Sequence, residues 1–160
     1  MNKNYLSNYK YGNYVLFVLS VIFLRNKKTY LWFYIIGYVL NYIFNSFLKL
    51  LFKQPRPDEN MKLFELEMNK RDYIDWREYK RFGMPSGHAE ETAYSLIYII
   101  MVLQNTKIIA LFFIITLFTI FQRIYTKRHT IAQVSVGSIL GLLIGYLFYY
   151  LAYKNIQMCK

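Results

Sequence analysis

Long apolar runs separated by short charged loops constrain this chain of 160 residues more than any other feature. A helix needs roughly 20 mostly apolar residues to cross the hydrocarbon core of a bilayer, with a range of about 17–25. By that rule the sequence predicts five membrane helices, of which the first and third are short enough to be tilted or partly embedded. The predicted helices are Tyr11–Leu24, Tyr30–Phe52, Ser86–Leu103, Ile108–Tyr125 and Ile131–Tyr153.

The composition agrees with a membrane protein. Hydrophobic residues make up 56% of the chain and aromatic residues 20%, whereas soluble domains contain about 45–50% apolar residues. The length favours one domain over residues 1–160, so we expect an all-α, polytopic helical bundle. We expect the first run to be an uncleaved anchor rather than a cleaved signal peptide, because no small-x-small site follows Leu24 and cations follow at once.

The chain is strongly basic, with 20 Lys and Arg against 9 Asp and Glu and a formal charge of +11. Such a charge suits nucleic acid, anionic lipid or a phosphate-handling surface. Because the cations lie in short loops between apolar runs, we expect membrane lipids as partners and no nucleic acid. The single cysteine, Cys159, excludes an internal disulfide and a cysteine-based metal site.

The polar stretch Lys53–Gly83 separates the second and third apolar runs. Its core, Lys62–Arg81, mixes apolar and charged residues, which predicts a short amphipathic helix at the membrane interface. A solvated charged loop is the alternative. If all five runs cross the membrane, this stretch lies on the same side as the turn at residues 126–130. Basic residues are more numerous on that side, which by the positive-inside rule would be the cytoplasm, but the count includes the motif cations and the polar stretch is also rich in acids, so the orientation is left open.

Two cations end the second run, in the pattern Lys49-x6-Arg56-Pro57. Cations at a helix end often only extend their heads to the membrane surface. Their chemistry also suits an anion, because Arg binds two phosphate oxygens at once and Lys acts as a compact point charge.

The third run opens with Pro85-Ser86-Gly87-His88. Pro followed by Ser is an ordinary helix start, but that explanation leaves His88 unaccounted for. A helix N-terminus offers free N–H groups and a positive dipole end, and a glycine there lets the backbone approach an anion closely. Two acids follow, Glu90 and Glu91, and first-turn carboxylates that favour the helix dipole are their simplest interpretation.

Arg123 and His129, in the pattern Arg123-x5-His129, lie between the fourth and fifth runs. An interfacial basic cluster is the simple reading of His129 beside Lys127 and Arg128. No Gly-x-Ser-x-Gly elbow competes as a source of a nucleophile, and Cys159 lies in a terminal segment.

In this order the three patterns resemble the phosphate site of the type 2 phosphatidic acid phosphatase (PAP2) superfamily. The resemblance covers about residues 45–146 and implies a PAP2/haloperoxidase-like helical core. It implies that His129 is the nucleophile that forms a phosphohistidine and that His88 is the general acid. It further implies no metal and no cofactor, and phosphate binding by the residues Lys49, Arg56, Ser86, Gly87 and Arg123.

The third pattern departs from the common family form, Ser-Arg-x5-His-x3-Asp, in two places. Gln122 replaces the Ser and Gln133 replaces the Asp. An acceptor at position 133 would hold the other ring N–H of His129, so we assign Gln133 an orienting role. The residues around the motifs look most like the dolichyl diphosphatase-like branch, although that branch commonly has Ser where Gly87 stands.

The resemblance implies an enzyme that hydrolyses a lipid phosphate or a (poly)prenyl diphosphate at the bilayer surface. Two alternatives remain. One is a phosphatase of a soluble phosphate ester, as in the glucose-6-phosphatase-like branch. The other is a catalytically silent membrane protein that binds anionic lipid, an alternative that the two Gln replacements keep open.

Overall fold

The computed structural model describes residues 11–69 and 76–159, and this part of the chain is predominantly helical. A 3-10 helix, Trp76–Arg81, precedes the fourth of its six α-helices. The α-helices are α1 (Gly12–Leu24), α2 (Lys28–Phe52), α3 (Met61–Asn69), α4 (Gly87–Leu103), α5 (Thr106–Tyr125) and α6 (Ile131–Met158). The predicted all-α class is therefore confirmed, and each predicted apolar run corresponds to one helix.

Three helices, α2, α5 and α6, are long and apolar enough to cross a membrane. Their outward faces carry large apolar side chains such as Trp32, Phe47, Ile114 and Leu143, as expected for contact with lipid. At about 1.5 Å per residue, the 13 residues of α1 extend about 20 Å and the 17 residues of α4 about 26 Å. Both are shorter than the roughly 30 Å hydrocarbon core, so five complete crossings stay a prediction.

Helix α4 lies at the centre of the bundle and contacts α1, α2, α5 and α6. Helix α6 approaches it through glycines spaced four residues apart, Gly137, Gly141 and Gly145. A Cβ atom on Gly141 would lie 2.1 Å from the carbonyl oxygen of Glu90. Small residues at this spacing allow two helix backbones to pack closely. The contact holds the N-terminus of α6 against the N-terminus of α4, and so brings the second and third motifs together.

Buried tyrosines join α2 to α4 beneath the motif end of the bundle. Tyr34 and Ser95 share a hydroxyl hydrogen bond of 2.8 Å. Tyr94 donates to the Tyr34 carbonyl at 2.9 Å, and Tyr98 donates to the Tyr30 carbonyl at 2.6 Å. Because each hydroxyl has a partner, these rings supply apolar packing without an orphaned polar group.

The polar stretch Lys53–Gly83 is partly helical. It contains α3 and the 3-10 helix, while residues 70–75 of the predicted amphipathic helix lie outside the described residues. Arg81 binds Glu67 at 2.8 Å and Glu59 at 3.2 Å, which ties the end of the stretch to its beginning. The placement of this stretch at a bilayer surface stays a prediction.

Candidate phosphate site

The three sequence motifs converge on one pocket of about 450 Å³ at a single end of the bundle. The residues come from the end of α2, the following loop, the start of α4, the end of α5 and the turn before α6. Six of the eight predicted site residues line the pocket: Lys49, Arg56, Gly87, His88, Arg123 and His129. The other two, Ser86 and Gln133, are buried beside it.

The pocket concentrates positive charge. Lys49 is 7% exposed and Arg123 is 8% exposed, and in the described part of the chain neither side chain has a hydrogen-bond acceptor. Arg56 is held by a 2.7 Å bond from Nη2 to the Lys80 carbonyl, while its Nε has no partner among the described residues. Buried cations without acceptors are costly, so the arrangement favours an anionic ligand.

The start of α4 borders this charged pocket. Ser86 is the extended N-cap residue, with φ −74° and ψ 108°, and its side chain does not cap the helix. Its amide donates instead to the Gln133 carbonyl at 3.0 Å. The Ser86 hydroxyl is buried and has no partner in the described residues. A Cβ on Gly87 would lie 3.8 Å from Lys49 Nζ, so the first residue of α4 and the Lys49 ammonium group border the same part of the pocket.

His129 is 4% exposed and is held through Nδ1. That atom lies 3.0 Å from the Gly83 carbonyl oxygen and 3.2 Å from Gln133 Oε1. Because both partners are acceptors, Nδ1 carries the proton and Nε2 keeps a lone pair. Burial, followed by the charges of Arg56, Lys49 and Arg123, lowers the pKa of His129 to about 3, so the ring is neutral at physiological pH.

Gln133 both accepts and donates hydrogen bonds. Its Oε1 accepts from the Thr130 amide at 3.3 Å and, with the Thr130 hydroxyl, completes a capping box at the start of α6. Its Nε2 donates to Gln54 Oε1 at 3.1 Å and to the Pro55 carbonyl at 3.0 Å. The amide therefore links the loop after α2 to the N-terminus of α6.

Gly83 supplies an acceptor that sequence reasoning missed. A Cβ at this position would lie 2.6 Å from Gln133 Oε1, so the absence of a side chain allows the backbone carbonyl to reach the imidazole. Gly83 itself is held by a 2.7 Å bond from its amide to the Gln54 carbonyl. Every residue has a backbone carbonyl, so the sequence carries no signal that singles out the one at Gly83.

The simple interpretation of Glu90 and Glu91 as first-turn charges is incomplete, because both carboxyl groups are buried. Glu90 is 0% exposed and accepts a bond from Asn45 Nδ2. Glu91 lines the pocket together with other residues that the motifs do not include, such as Tyr79 and Asn13. The ring of Tyr79 lies 6.0 Å from Lys49 Nζ, within cation–π distance.

Comparisons with known proteins agree with the geometry of the site. The sequence profile described as the PAP2 superfamily matches residues 30–157. A curated relative is lipid phosphate phosphatase epsilon 2, chloroplastic, of Arabidopsis thaliana, which is 29% identical over 138 residues. That match covers 81% of this chain and 42% of the relative, so this chain spans about two fifths of the relative's length. No solved structure matches.

These findings identify the superfamily but select no branch, so the dolichyl diphosphatase-like assignment stays a prediction. The matched region, residues 30–157, contains all three motifs and both histidines. The chain belongs to the PAP2 superfamily.

Proposed function

We propose that this protein is a membrane phosphatase that releases phosphate from a lipid phosphate or a (poly)prenyl diphosphate through a phosphohistidine on His129. The observation that carries the proposal is the state of that imidazole. It is buried and neutral, its Nδ1 lies against two carbonyl oxygens, and it lines a pocket together with the three motif cations Lys49, Arg56 and Arg123. A neutral ring with a free Nε2 lone pair is the form that can attack phosphorus.

The reaction would proceed in two transfers. In the first, Nε2 of His129 forms a bond to phosphorus while the bond from phosphorus to the leaving oxygen breaks. His88 gives its proton to that oxygen. In the second, water attacks the phosphohistidine, His88 takes a proton from the water, and inorganic phosphate leaves with His129 restored.

The cations hold the phosphoryl oxygens through both transfers. Arg56, Arg123 and Lys49 would stabilise the charge that spreads over those oxygens in the transition state. The Gly87 amide at the start of α4 and the Ser86 hydroxyl would add donors, and the hydroxyl would thereby gain the partner that it lacks among the described residues. Gln133 would keep Nδ1 protonated and the ring oriented.

An apolar groove next to the pocket supports a lipid substrate. The groove is about 500 Å³ in volume and lies between α1 and α5, where it is lined by residues such as Val15, Ile114 and Phe118. Asn13 and Tyr14 of the phosphate pocket lie between Gly12 and Val15 of this groove along α1. A phosphate in the pocket could therefore extend its hydrocarbon chain toward the membrane interior.

Phosphate release in detergent tests the proposal. Wild-type protein would be given a long-chain lipid phosphate, a prenyl diphosphate and a sugar phosphate, each with EDTA. We expect turnover of a lipid substrate by wild type and none by His129→Asn. Arg128→Gln is the matched control, because Arg128 is an exposed cation of the same turn that binds Asp58 at 2.9 Å and does not line the pocket.

Each other outcome identifies an alternative. Faster turnover of the sugar phosphate than of either lipid would favour the soluble-ester phosphatase. No turnover of any substrate by folded wild-type protein would favour the silent lipid-binding protein. Equal activity of His129→Asn and wild type would contradict the phosphohistidine.

A further inference from the structure

The phosphate pocket has a buried inner part and an exposed outer part. In the inner part, the motif residues Lys49, Arg123 and His129 are at most 8% exposed. Three residues from outside the motifs line the outer part: Tyr42, Tyr79 and Lys80. Tyr42 is 46% exposed, and Lys80 is also exposed. The pocket therefore extends beyond the motif residues, toward its mouth.

The outer part offers one cation and two hydroxyl groups. The hydroxyls of Tyr42 and Tyr79 are hydrogen-bonded to each other. A hydroxyl has one proton to donate, so the hydroxyl that accepts this bond keeps its own proton for another acceptor. The centroid of the Tyr79 ring lies 6.0 Å from Lys49 Nζ and 5.9 Å from Lys80 Nζ. The ring therefore borders an inner and an outer cation at once.

Lys80 is attached to the phosphate site through its backbone. It lies, like Tyr79, in the 3-10 helix Trp76–Arg81. Arg56 Nη2 donates to the Lys80 carbonyl at 2.7 Å, and Arg81 is held by ion pairs with acids of the same polar stretch. No carboxylate in the described ranges forms an ion pair with the Lys80 ammonium group. That group is thus positioned at the mouth of the pocket and available to a ligand.

The position of the nucleophile decides what these outer residues meet. In a phosphoryl transfer the attacking and leaving atoms lie roughly in line across phosphorus. His129 is 4% exposed and attacks from the buried part of the pocket, so the leaving group points toward the mouth. There it meets Lys80 and the two tyrosine hydroxyls. A cation with hydroxyl donors suits a leaving group that is itself an anion.

Two classes of lipid substrate differ in this leaving group. Cleavage of a lipid monophosphate releases an alcohol, which is neutral once His88 has protonated its oxygen. Cleavage of a lipid diphosphate between its two phosphorus atoms releases a lipid monophosphate, which carries a charge of about −1.5 to −2 near neutral pH. Only the diphosphate places a second phosphate beside Lys80.

We propose that Lys80, Tyr42 and Tyr79 bind the second phosphate of a lipid diphosphate, the one that stays on the lipid after cleavage. The proposal rests on the proposed phosphatase and selects the diphosphate among its substrates. His129 Nε2 forms a bond to the terminal phosphorus while the bond from that phosphorus to the bridging oxygen breaks. The bridging oxygen leaves with the electron pair and with the lipid phosphate, and it takes the proton of His88. Lys80 stabilises the charge of this leaving group and is a specificity-determining residue.

One prenyl chain with either one or two phosphates tests the proposal. Initial rates of phosphate release from farnesyl monophosphate and farnesyl diphosphate would be measured with the full chain in detergent. We expect Lys80→Gln to lower kcat/KM for the diphosphate about 3- to 15-fold, between the values for an exposed ion pair and for a hydrogen bond to a charged group. The monophosphate should be affected less than about twofold. An equal loss for both substrates, or no loss for either, would overturn the proposal.

Three further variants separate this role from overall charge and from packing. Lys80→Arg keeps the cation and should keep the preference for the diphosphate. Tyr79→Phe keeps the ring but removes a hydroxyl, and it should lower kcat/KM for the diphosphate alone by roughly 2- to 10-fold. Lys62→Gln is the matched control, because Lys62 is an exposed cation of the same polar stretch that does not line the pocket. A selective loss in Lys62→Gln as large as in Lys80→Gln would overturn the proposal.

Calorimetry with methylene diphosphonate and inorganic phosphate measures the same preference without turnover. We expect Lys80→Gln to weaken binding of the diphosphonate and to leave binding of phosphate unchanged. This result in a protein that hydrolyses no lipid would support the second phosphate site and contradict the enzyme. A protein that hydrolyses lipid phosphates, but in which Lys80→Gln weakens both ligands equally or neither, would support the enzyme and overturn the role of Lys80.

Discussion

Replacing Gln133 with Leu tests how the nucleophile is held, because the structure gives His129 Nδ1 two acceptors. The substitution removes Gln133 Oε1 at 3.2 Å but leaves the Gly83 carbonyl at 3.0 Å. The ring should keep its tautomer. The loss is then one hydrogen bond to a group that becomes positively charged during phosphoryl transfer, worth about 1.5–3 kcal/mol. At a factor of ten for about 1.4 kcal/mol, kcat should fall roughly 10- to 150-fold.

The substitution should also destabilise the fold. Leu cannot accept from the Thr130 amide or donate to the Pro55 carbonyl and Gln54. Loss of the capping box costs roughly 0.5–2 kcal/mol, and each buried acceptor left without a donor costs about 1–3 kcal/mol. We expect a lower unfolding temperature in detergent, measured beside the rate so that the two effects can be separated.

Gln133→Glu keeps the length of the side chain and tests the charge. A carboxylate can accept from Nδ1, but its second oxygen would face the Pro55 carbonyl, to which the native amide donates at 3.0 Å. A negative charge beside the imidazole favours the protonated ring and raises its pKa. Because His129 must be neutral to attack, the acid limb of kcat/KM should move to higher pH than in wild type.

The pKa of His129 also predicts where the acid limb of the kcat/KM profile lies in the wild-type protein. Burial and three cations lower the pKa of His129 to about 3, so its protonation should not limit kcat/KM above about pH 5. Phosphate release at saturating and subsaturating substrate between pH 4 and 8 gives these values. Two results for a folded Gln133→Leu protein would refute the conclusion that Gly83 and Gln133 together orient the His129 ring. Full activity would mean that Gln133 contributes nothing, and a loss of more than about 10⁴-fold would mean that the Gly83 carbonyl cannot hold the ring without it.

Three further predictions concern the nucleophile, metal and topology. His129→Ala should lower kcat by about 10⁶ without loss of folded protein, and a tenth of wild-type turnover would contradict its role. Activity should survive EDTA and fall with vanadate, which adopts a five-coordinate shape like the transition state; activity restored only by magnesium would contradict this. Single cysteines would replace Asn60, Lys127 or Asn105 in a Cys159→Ser background. We expect an impermeant thiol reagent to label the first two from one side of the membrane and the third from the other side. Labelling of all three from one side would contradict five crossings.

The bounds of the helices were predictable because the length of an apolar run limits where a membrane helix can begin and end. The prediction for α2 began at Tyr30, and the helix begins at Lys28. Helix α6 continues past the predicted Tyr153 to Met158, because nothing in Lys154–Met158 breaks a helix. The convergence of motifs at one end also followed from the alternation of helix directions.

The packing around the site was less predictable, because backbone atoms carry no residue-type signature. Gly141 touches the Glu90 carbonyl and Gly83 offers its own carbonyl to His129. Both contacts depend on the absence of a side chain. A glycine in a sequence does not reveal which backbone it approaches.

The two acids of α4 illustrate a second limit of sequence reasoning. Glu at the start of a helix has the same pattern whether it faces water or a buried pocket, and only the neighbouring helices decide which. Here α1 contributes Asn13 and α2 contributes Asn45, and each amide donates to one carboxyl group. An amide donor on a separate helix is the feature that distinguishes a held carboxylate from a solvated one.

Gln133 alters the charge balance of the site relative to the common family form. Position 133 has a neutral amide where the family usually has a carboxylate, which leaves the pKa of His129 low. The neutral amide at position 133 therefore leaves the imidazole in the unprotonated form that the proposed attack on phosphorus requires.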